Sequence, residues 1–415
     1  MSAREKLKFL RNRHGLSQER LGDETGISRS HIANLETQEG AWPEEYSTIF
    51  AHFFKVPVSY FSDAKEEPKV AKELHRIWKM LLYREHRLVT DEQLALLKAP
   101  YPNLEQELQA NMLLAIYFSK MFAFDEADKI KEKYVSNYLE QFQVPATPLT
   151  QQILHYFQLQ FQKHKSYFAK GLETAEKLDG LLENEVDRLA LKLTVVYLYF
   201  NGGNIEATHD LLASIEPDLL ELGNDRLLSE YYIFLSATNI RLKLFNQAFK
   251  ALDKLEGVAK RSRLMDVLAK AYQHRGVIYG REKKEHEKAI YYHKKGLDLV
   301  PPDEKGPYYR SIMANLNLLG RFEESAQLLK ESRNINMTEE VRMGILIMES
   351  QIALHEGDMA THRRTHKESL EYYQSQKNAI VLRYIYGFLG DYYSKKNKFK
   401  KASEYFKLRD EVEYL

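Results

Sequence analysis

The chain has 415 residues, which is too long for one hydrophobic core, so we expect two or more folding units or an extended repeat array. It contains no cysteine, which excludes disulfides, thiol nucleophiles and cysteine-ligated zinc and fits a cytoplasmic location. The net charge of +1 excludes a general polyanion-binding protein. No stretch has the length and apolar character of a signal peptide or a membrane span, so we expect no membrane partner. Scarce proline and abundant aromatic residues favour an all-α fold.

The first residues predict two helices separated by a glycine turn. Leu7 and Leu10 give a first helix one apolar stripe. Gly15 is suited to end that helix in the left-handed conformation, and Ser17 is suited to cap the next one. Leu21 then turns the second helix toward a shared core.

A third helix follows a second tight turn. Gly26 supplies the turn, Ile27 packs beneath it, and Ser28 is placed to cap the new helix. Ile32 and Leu35 form the buried side of that helix. Its other faces carry Arg29, Ser30, Ala33 and Asn34, where a DNA major groove could receive them.

These positions, together with an aromatic tail ending at Phe61, resemble the XRE-type (lambda-repressor-like) helix-turn-helix domain, over roughly residues 1–64. The resemblance implies a DNA-binding set made of Gln18, Ser28, Arg29, Ser30, Ala33 and Asn34. Within it, Arg29 suits guanine, Asn34 suits adenine, and Gln18 would touch phosphate or a base edge. Arg11 and Glu36 match a structural ion pair of the family and are therefore excluded from the DNA-binding set.

The head departs from the family pattern in three ways. Gly22 stands where alanine is usual, at a cost of about 1 kcal/mol in helix stability. The loop TQEGAWP after Glu36 is one residue longer than usual and has no basic residue. Residues 1–36 contain seven Lys/Arg against five Asp/Glu, a small excess for a surface that attracts phosphate. The alternative to a DNA-binding head is a degenerate head that only packs or dimerises.

Residues 65–71 are charged, contain a proline and predict a linker. Residues 72–415 predict about eight helical hairpins. The last 35 residues show the clearest spacing, through Tyr386, Leu389, Gly390, Tyr393, Ala402 and Phe406, and they resemble the tetratricopeptide repeat. Earlier copies are anchored at Ala127, Gly171, Ala207, Ala248, Ala289, Ala326 and His362, 36 to 44 residues apart. Such hairpins would stack into a right-handed α-solenoid with a concave groove.

Extending the repeat register to the first helix of each hairpin nominates a peptide-binding set. Its members are Lys192, Tyr199, Asn239, Arg241, Gln273, Asn315 and Asp391, with Tyr384 beside the last of them. The amides suit the backbone groups of an extended peptide, and Arg241 suits a carboxylate. For each residue singly, the alternative is solvent exposure or a hydrogen bond between helices.

No group of residues predicts an enzyme or a cofactor. His362 and His366 are four apart, but Arg363 and Arg364 lie between them, so we expect a solvated basic face with no metal. No glycine loop suits a phosphate, and no serine or acid cluster has catalytic spacing.

A helix-turn-helix head followed by a tetratricopeptide-like arm resembles the peptide-pheromone receptors of the Rap/Rgg/NprR/PlcR/PrgX group, and NprR-type members most. The resemblance implies a cytoplasmic homodimer that binds double-stranded operator DNA and a short signalling peptide. The alternative function is Rap-like sequestration or phosphatase-type control of a response-regulator protein, with the partner surface in the first hairpins, around residues 72–101, and a secondary or vestigial head.

Overall fold

The protein is built from helices. A computed structural model describes residues 2–37, 42–62, 65–142, 147–335, 337–376 and 378–412, and these ranges contain no β-strand. The predicted all-α class is confirmed. Through their internal contacts the residues form two compact units, Met1–Leu227 and Leu228–Leu415.

The head lies at the start of the first unit. Its helices are α1 (Ala3–Arg13), α2 (Gln18–Thr25), α3 (Arg29–Thr37) and α4 (Glu44–Phe54), followed by a 3₁₀ turn at Val58–Phe61. The predicted caps are present, since the Ser17 hydroxyl accepts from the Arg20 N–H at 3.0 Å and the Ser28 hydroxyl accepts from the His31 N–H at 3.3 Å. Gly26 ends α2 with a φ of 74°, which is the left-handed conformation expected of it.

The apolar stripes read from the sequence form the core of the head. Leu7, Leu10, Leu21 and Ile32 are fully buried, and Leu35 is 4% exposed. Their burial joins α1, α2 and α3 into one small bundle. Residues 38–41 of the long loop after α3 lie outside the described residues.

Gly22 has a packing role that the sequence does not reveal. A Cβ atom at this position would overlap the carbonyl oxygen of Ile27 in the turn before α3. The glycine therefore lets α2 approach the turn closely. Its low helix propensity is the cost of a position where no side chain fits.

The rest of the first unit continues the helical array. Its helices are α5 (Pro68–Leu82), α6 (Asp91–Lys98), α7 (Leu104–Lys120), α8 (Phe124–Ile130), α9 (Asn137–Gln141), α10 (Pro148–His164), α11 (Phe168–Asp179), α12 (Glu185–Asn201) and α13 (Ile205–Leu222). A π-helical turn, Lys131–Ser136, joins α8 to α9. Because α5 begins at Pro68, residues 68–71 of the predicted linker are helical, with proline in the first turn, where its missing N–H costs nothing.

The second unit contains most of the remaining helices, and α14 crosses the boundary between the units. The helices are α14 (Asp225–Arg241), α15 (Phe245–Arg261), α16 (Met265–Val277), α17 (His286–Leu297), α18 (Gly306–Leu318), α19 (Phe322–Ser332), α20 (Glu339–Glu356), α21 (Met359–Ser375), α22 (Ala379–Lys395) and α23 (Phe399–Glu411). A second π-helical turn, Ile278–Glu282, extends α16.

The predicted repeat anchors fall on the second helix of successive hairpins. They lie in α8, α11, α13, α15, α17, α19, α21 and α23. In the last hairpin Gly390 of α22 lies directly against the ring of Phe406 in α23, where a Cβ atom would not fit. Small residues at these crossings allow the paired helices to pack closely.

Candidate functional site

The outward face of α3 is the candidate DNA-binding surface. Arg29, Ser30 and Asn34 are exposed, and Ala33 is half-buried. Ile32 on the opposite face is fully buried. Helical periodicity thus leaves the predicted base-reading residues accessible on one element, with Arg29 and Ser30 in its first turn, as in recognition helices that read the major groove.

Three members of the predicted DNA-binding set, Ser28, Ser30 and Gln18, have partners within the head. The Ser28 hydroxyl caps α3 and lies 3.2 Å from the Ser30 hydroxyl. The Gln18 side-chain amide donates to Glu36 Oε2 at 2.9 Å. Since its amide is tied to the head, Gln18 is less free to reach DNA than the resemblance implies.

The predicted ion pair between α1 and α3 is present. Arg11 donates to both carboxylate oxygens of Glu36, at 2.7 and 2.9 Å, and also to the Leu16 carbonyl at 2.9 Å. The Glu36 side chain is only 2% exposed. A bidentate pair at this depth fixes the orientation of α3 relative to α1.

The head also packs through Phe9 against the segment that runs from α7 to Phe142, which is called the first hairpin from here on. Its ring lies 5.1 Å from the ring of Tyr134, 5.8 Å from that of Tyr138 and 5.6 Å from that of Phe142. Phe9 is fully buried. The sequence gives no local signal for this contact apart from the general abundance of aromatic residues.

A buried carboxylate lies at the same junction. Glu107 of α7 accepts a hydrogen bond from the Tyr60 hydroxyl at 2.7 Å and another from Arg13 at 3.3 Å. The Arg13 guanidinium also lies over the Tyr134 ring, 4.6 Å from its centre. Burial raises the pKa of Glu107, although Arg13 acts in the opposite direction.

Gln141 of α9 forms two further polar contacts with α1. The Asn12 side chain donates to Gln141 Oε1 at 3.2 Å, and Gln141 Nε2 donates to the Glu5 carbonyl at 3.0 Å. Helix α1 is therefore held by α7, by the π-helical turn and by α9. The contacts of the first unit place the head and the first hairpin in one packed body.

The predicted peptide-binding residues of the first unit lie on α12. Lys192 is partly exposed, and its Nζ is 3.7 Å from Glu185 Oε1. Tyr199 is half-buried. Both remain predictions as ligand contacts.

The predicted residues of the second unit differ in their surroundings. Asn239 is 3% exposed, and its Oδ1 has no hydrogen-bond partner among the described residues. Arg241 is exposed at the end of α14, and Gln273 of α16 is half-buried. Asp391 is exposed on α22, and its charge, after that of Asp410, raises the pKa of Arg409 on α23.

Asn315 is placed inside the helix packing and not on an open groove. Its Nδ2 donates to the Ser311 carbonyl at 2.8 Å, and its Oδ1 lies 2.9 Å from His286 Nδ1. The residue is 8% exposed and packs against Gly280, where a Cβ atom would meet its Oδ1 at 2.6 Å. Asn315 is therefore engaged by neighbouring groups of the helix packing, and its role as a ligand contact remains a prediction.

The two neighbouring histidines of α21 are also placed differently from the expectation. His362 is 6% exposed, and its Nδ1 lies 2.9 Å from the Ser350 hydroxyl. Burial lowers the pKa of His366 to about 4. Arg363 and Arg364 are the exposed residues of this stretch, so the predicted solvated face excludes His362. Across the described ranges, no group of three histidines or acids has the geometry to hold a metal ion.

Polar residues outside the predicted peptide-binding set lie beside Tyr384 in the second unit. Gln351 of α20 is hydrogen-bonded to the Tyr384 hydroxyl, with separations of 3.2 and 3.3 Å, and to Asn317 Nδ2 at 2.9 Å. Arg281 lies in the π-helical turn after α16, and its charge acts on Tyr384. A π-helical turn has a wider hydrogen-bond spacing than an α-helix, so the direction of Arg281 does not follow from α-helical periodicity.

Comparison with known proteins identifies the class of the head. Residues 7–61 match the family model described as Helix-turn-helix. No curated protein sequence matches the chain. Within the described residues, no helix has the length and apolar content needed to cross a membrane.

Solved structures identify the fold of most of the chain. A Rap protein complexed with competence and sporulation factor is 11% identical, with a TM-score of 0.64, over 83% of this chain and 97% of that one. The apo quorum sensor NprR from B. thuringiensis is 14% identical, with a TM-score of 0.58, over 83% and 98%. Aspartyl phosphate phosphatase F from Bacillus subtilis is 12% identical, with a TM-score of 0.54, over 85% and 96%. The predicted resemblance, a helix-turn-helix head with a Rap- and NprR-like tetratricopeptide-type arm, is confirmed.

Proposed function

We propose that the chain is a cytoplasmic transcriptional regulator that binds operator DNA through α3 and is switched by a short signalling peptide bound to its arm. The observation that carries the proposal is the accessible face of α3 on a head that is itself packed against the first hairpin of the arm. The similarity of the fold to a Rap protein and to the quorum sensor NprR supports the same function.

The head–arm junction suggests how a signal reaches the DNA. Two recognition helices of a dimer must lie about 34 Å apart to read successive major grooves. Because Phe9 and Glu107 join α1 to the first hairpin, a change in that hairpin moves the head with it. A homodimer would then gain or lose the required spacing, provided that the peptide binds one form better than the other.

The primary test is selection of bound sequences from random duplex DNA by the full-length protein, with and without a pool of short peptides. We expect an inverted-repeat site whose enrichment depends on peptide and falls as salt is raised. Absence of any enriched site in both conditions contradicts a DNA-binding function.

Variants of α3 then test the assignment of the reading face. Arg29→Ala and Asn34→Ala should each weaken binding to the selected site by about 1–3 kcal/mol and relax specificity at one base pair. Lys129→Ala, which removes a cation of α8 whose side chain is 59% exposed, should leave the affinity unchanged and serves as the matched control. Equal affinities for all three variants contradict the assignment.

The second candidate function is control of a response-regulator protein. The fold similarity to an aspartyl phosphate phosphatase favours it, as does the small excess of basic residues in the head. We propose α5 and α6 as the partner surface in this case. Binding of a response regulator in the absence of DNA, lost on substitution in α5 or α6, would favour this function over the first.

A further inference from the structure

The turn between α22 and α23 is strongly basic, and residues 395–401 are called the basic turn from here on. Their sequence, KKNKFKK, contains five lysines and no acid, and all five lysines are exposed. Two of them, Lys396 and Lys401, lie over tyrosine rings of α22. Within the described part of the chain, no carboxylate forms an ion pair with any of the five. The basic turn therefore presents positive charge that its own neighbours do not neutralise.

Phe399 is an apolar residue within the basic turn, and it is the first residue of α23. The first residue of α19 is Phe322, which is half-buried because its ring stacks on His355 of the following hairpin at 4.1 Å. The described residues end at 412, with no further hairpin after α23, and Phe399 is 65% exposed. A position that packing covers in α19 is thus open in α23.

Helix α13 of the first unit carries the opposite charge. Its 18 residues include five acids and no lysine or arginine. Glu206, Asp210 and Glu221 are exposed, and their separations of 4 and 11 residues place them on one face of the helix. The Asp210 side chain is 76% exposed. Among the described residues, no lysine or arginine forms an ion pair with Glu206, Asp218 or Glu221.

An exposed leucine accompanies these acids. Leu220 is 50% exposed and stands between Asp218 and Glu221, which are both exposed. The surface of α13 therefore combines an open apolar side chain with carboxylates, as the basic turn combines one with lysines. Removing both apolar side chains from water is favourable, and the surrounding charges attract each other.

We propose that the basic turn of one copy of the chain binds α13 of a second copy, with Phe399 against Leu220 and the lysines against the carboxylates. The inference rests on the homodimer of the proposed function and specifies a surface through which the two copies meet. Each copy carries both surfaces, so a two-fold dimer can form the contact twice. Single exposed ion pairs contribute little, but several charges of one sign facing several of the other select a partner and steer its approach.

A second copy accounts for both surfaces at once. An anionic membrane or a nucleic acid would neutralise the lysines of the basic turn, but it would leave the acids of α13 and Leu220 without a counterpart. The occupant that the charges favour is therefore this chain itself.

The test reverses the charge of each surface separately in the full-length protein. The acidic-turn variant combines Lys398→Glu, Lys400→Glu and Lys401→Glu, and the basic-helix variant combines Asp210→Lys, Asp218→Lys and Glu221→Lys. The matched control combines Lys250→Glu, Lys330→Glu and Lys367→Glu, which alter three exposed lysines of α15, α19 and α21. Sedimentation over a concentration series measures association for each protein, and circular dichroism verifies that each is folded.

We expect the wild type to dimerise with a dissociation constant that rises with salt. The acidic-turn and basic-helix variants should each raise that constant about tenfold or more, because like charges then face each other, and the control should leave it unchanged. An equimolar mixture of the two variants should regain the association of the wild type, since both contacts of the mixed dimer again join opposite charges. The wild-type salt series tests the proposal even if a variant does not fold.

A dimer that resists salt, equal association of all variants, or folded variants that do not associate when mixed would overturn this proposal and leave the peptide-switched regulator in place. Loss of binding to phosphatidylglycerol vesicles or to random duplex DNA in the acidic-turn variant, with an unchanged dimer, would overturn it in favour of that polyanion. A wild type that stays monomeric at every concentration would overturn both this proposal and the homodimer of the proposed function.

Discussion

Replacing Tyr60 by phenylalanine removes one hydroxyl from the junction between the head and the first hairpin and leaves the ring in place. That hydroxyl donates to Glu107 Oε2 at 2.7 Å, and Glu107 is 2% exposed, so water cannot replace the lost donor. A buried acceptor that loses its partner costs about 1–3 kcal/mol. Arg13 remains 3.3 Å from the other carboxylate oxygen, so we expect the free energy of unfolding to fall by an amount within that range.

The measurement combines urea denaturation with hydrogen exchange of the α1 amides. Tyr46→Phe is the matched control, because its half-buried ring packs inside the head at 6.2 Å from Phe50 and does not touch the junction. We expect the control to change stability by less than about 0.5 kcal/mol. Equal losses in both variants, or unchanged exchange in α1, would refute a head held to the arm through Glu107.

Three further substitutions test the packing and charge of the first unit. Burial raises the pKa of Glu107 above its ordinary value of 4.5, so the folded state favours the protonated carboxyl. The stability that this protonation contributes is present at low pH and is lost as the pH rises through the pKa of the folded state. The wild type should therefore lose stability relative to Glu107→Gln above about pH 4.5 in urea titrations at several pH values, and a difference that does not vary with pH would contradict this. Gly22→Ala should destabilise by about 1–3 kcal/mol through overlap with Ile27, although helix propensity alone predicts a gain of about 1 kcal/mol, and a more stable variant would refute the close approach. Arg11→Met should cost about 3–5 kcal/mol in chemical denaturation, because Glu36, which is 2% exposed, loses its cationic partner and keeps only the neutral Gln18 amide, and a loss below about 1 kcal/mol would show that the ion pair is dispensable.

Local features of the sequence determined most of the head. Ser17 and Ser28 were predicted as caps because a serine before an amphipathic run supplies the missing acceptor, and both hydroxyls have that role. Gly26 was predicted to end α2 because glycine adopts a positive φ without strain. The accessible face of α3 followed from the burial of Ile32 and Leu35 through helical periodicity.

The contacts between the head and the arm were beyond sequence reasoning. Phe9 and Tyr134 are 125 positions apart, and no periodic pattern pairs an aromatic of α1 with one in a π-helical turn. Glu107 resembled an ordinary surface glutamate of an amphipathic helix. Its burial results from the position of Tyr60 and Arg13, which only the folded chain defines.

The sequence of the arm indicates where its paired helices cross, but it does not indicate which side chains line its groove. Small anchors such as Ala289 and Ala402 define where helices cross, because only small residues allow the close approach. Which first-helix residue lines the groove depends on the rotation of each first helix about its own axis, and anchors on the second helices do not define that rotation. Asn315, which the repeat register assigned to the groove, is 8% exposed and hydrogen-bonded within the helix packing.

The docking of α1 also determines how this protein can be divided. A head excised at the predicted linker would expose Phe9, which is fully buried in the intact chain, and the loss of burial for one such ring is about 1.5–3 kcal/mol. It would also leave Arg13 without Glu107. A chimaera that exchanges DNA specificity therefore needs a boundary after α9. The head and the first hairpin must be transferred together as one segment.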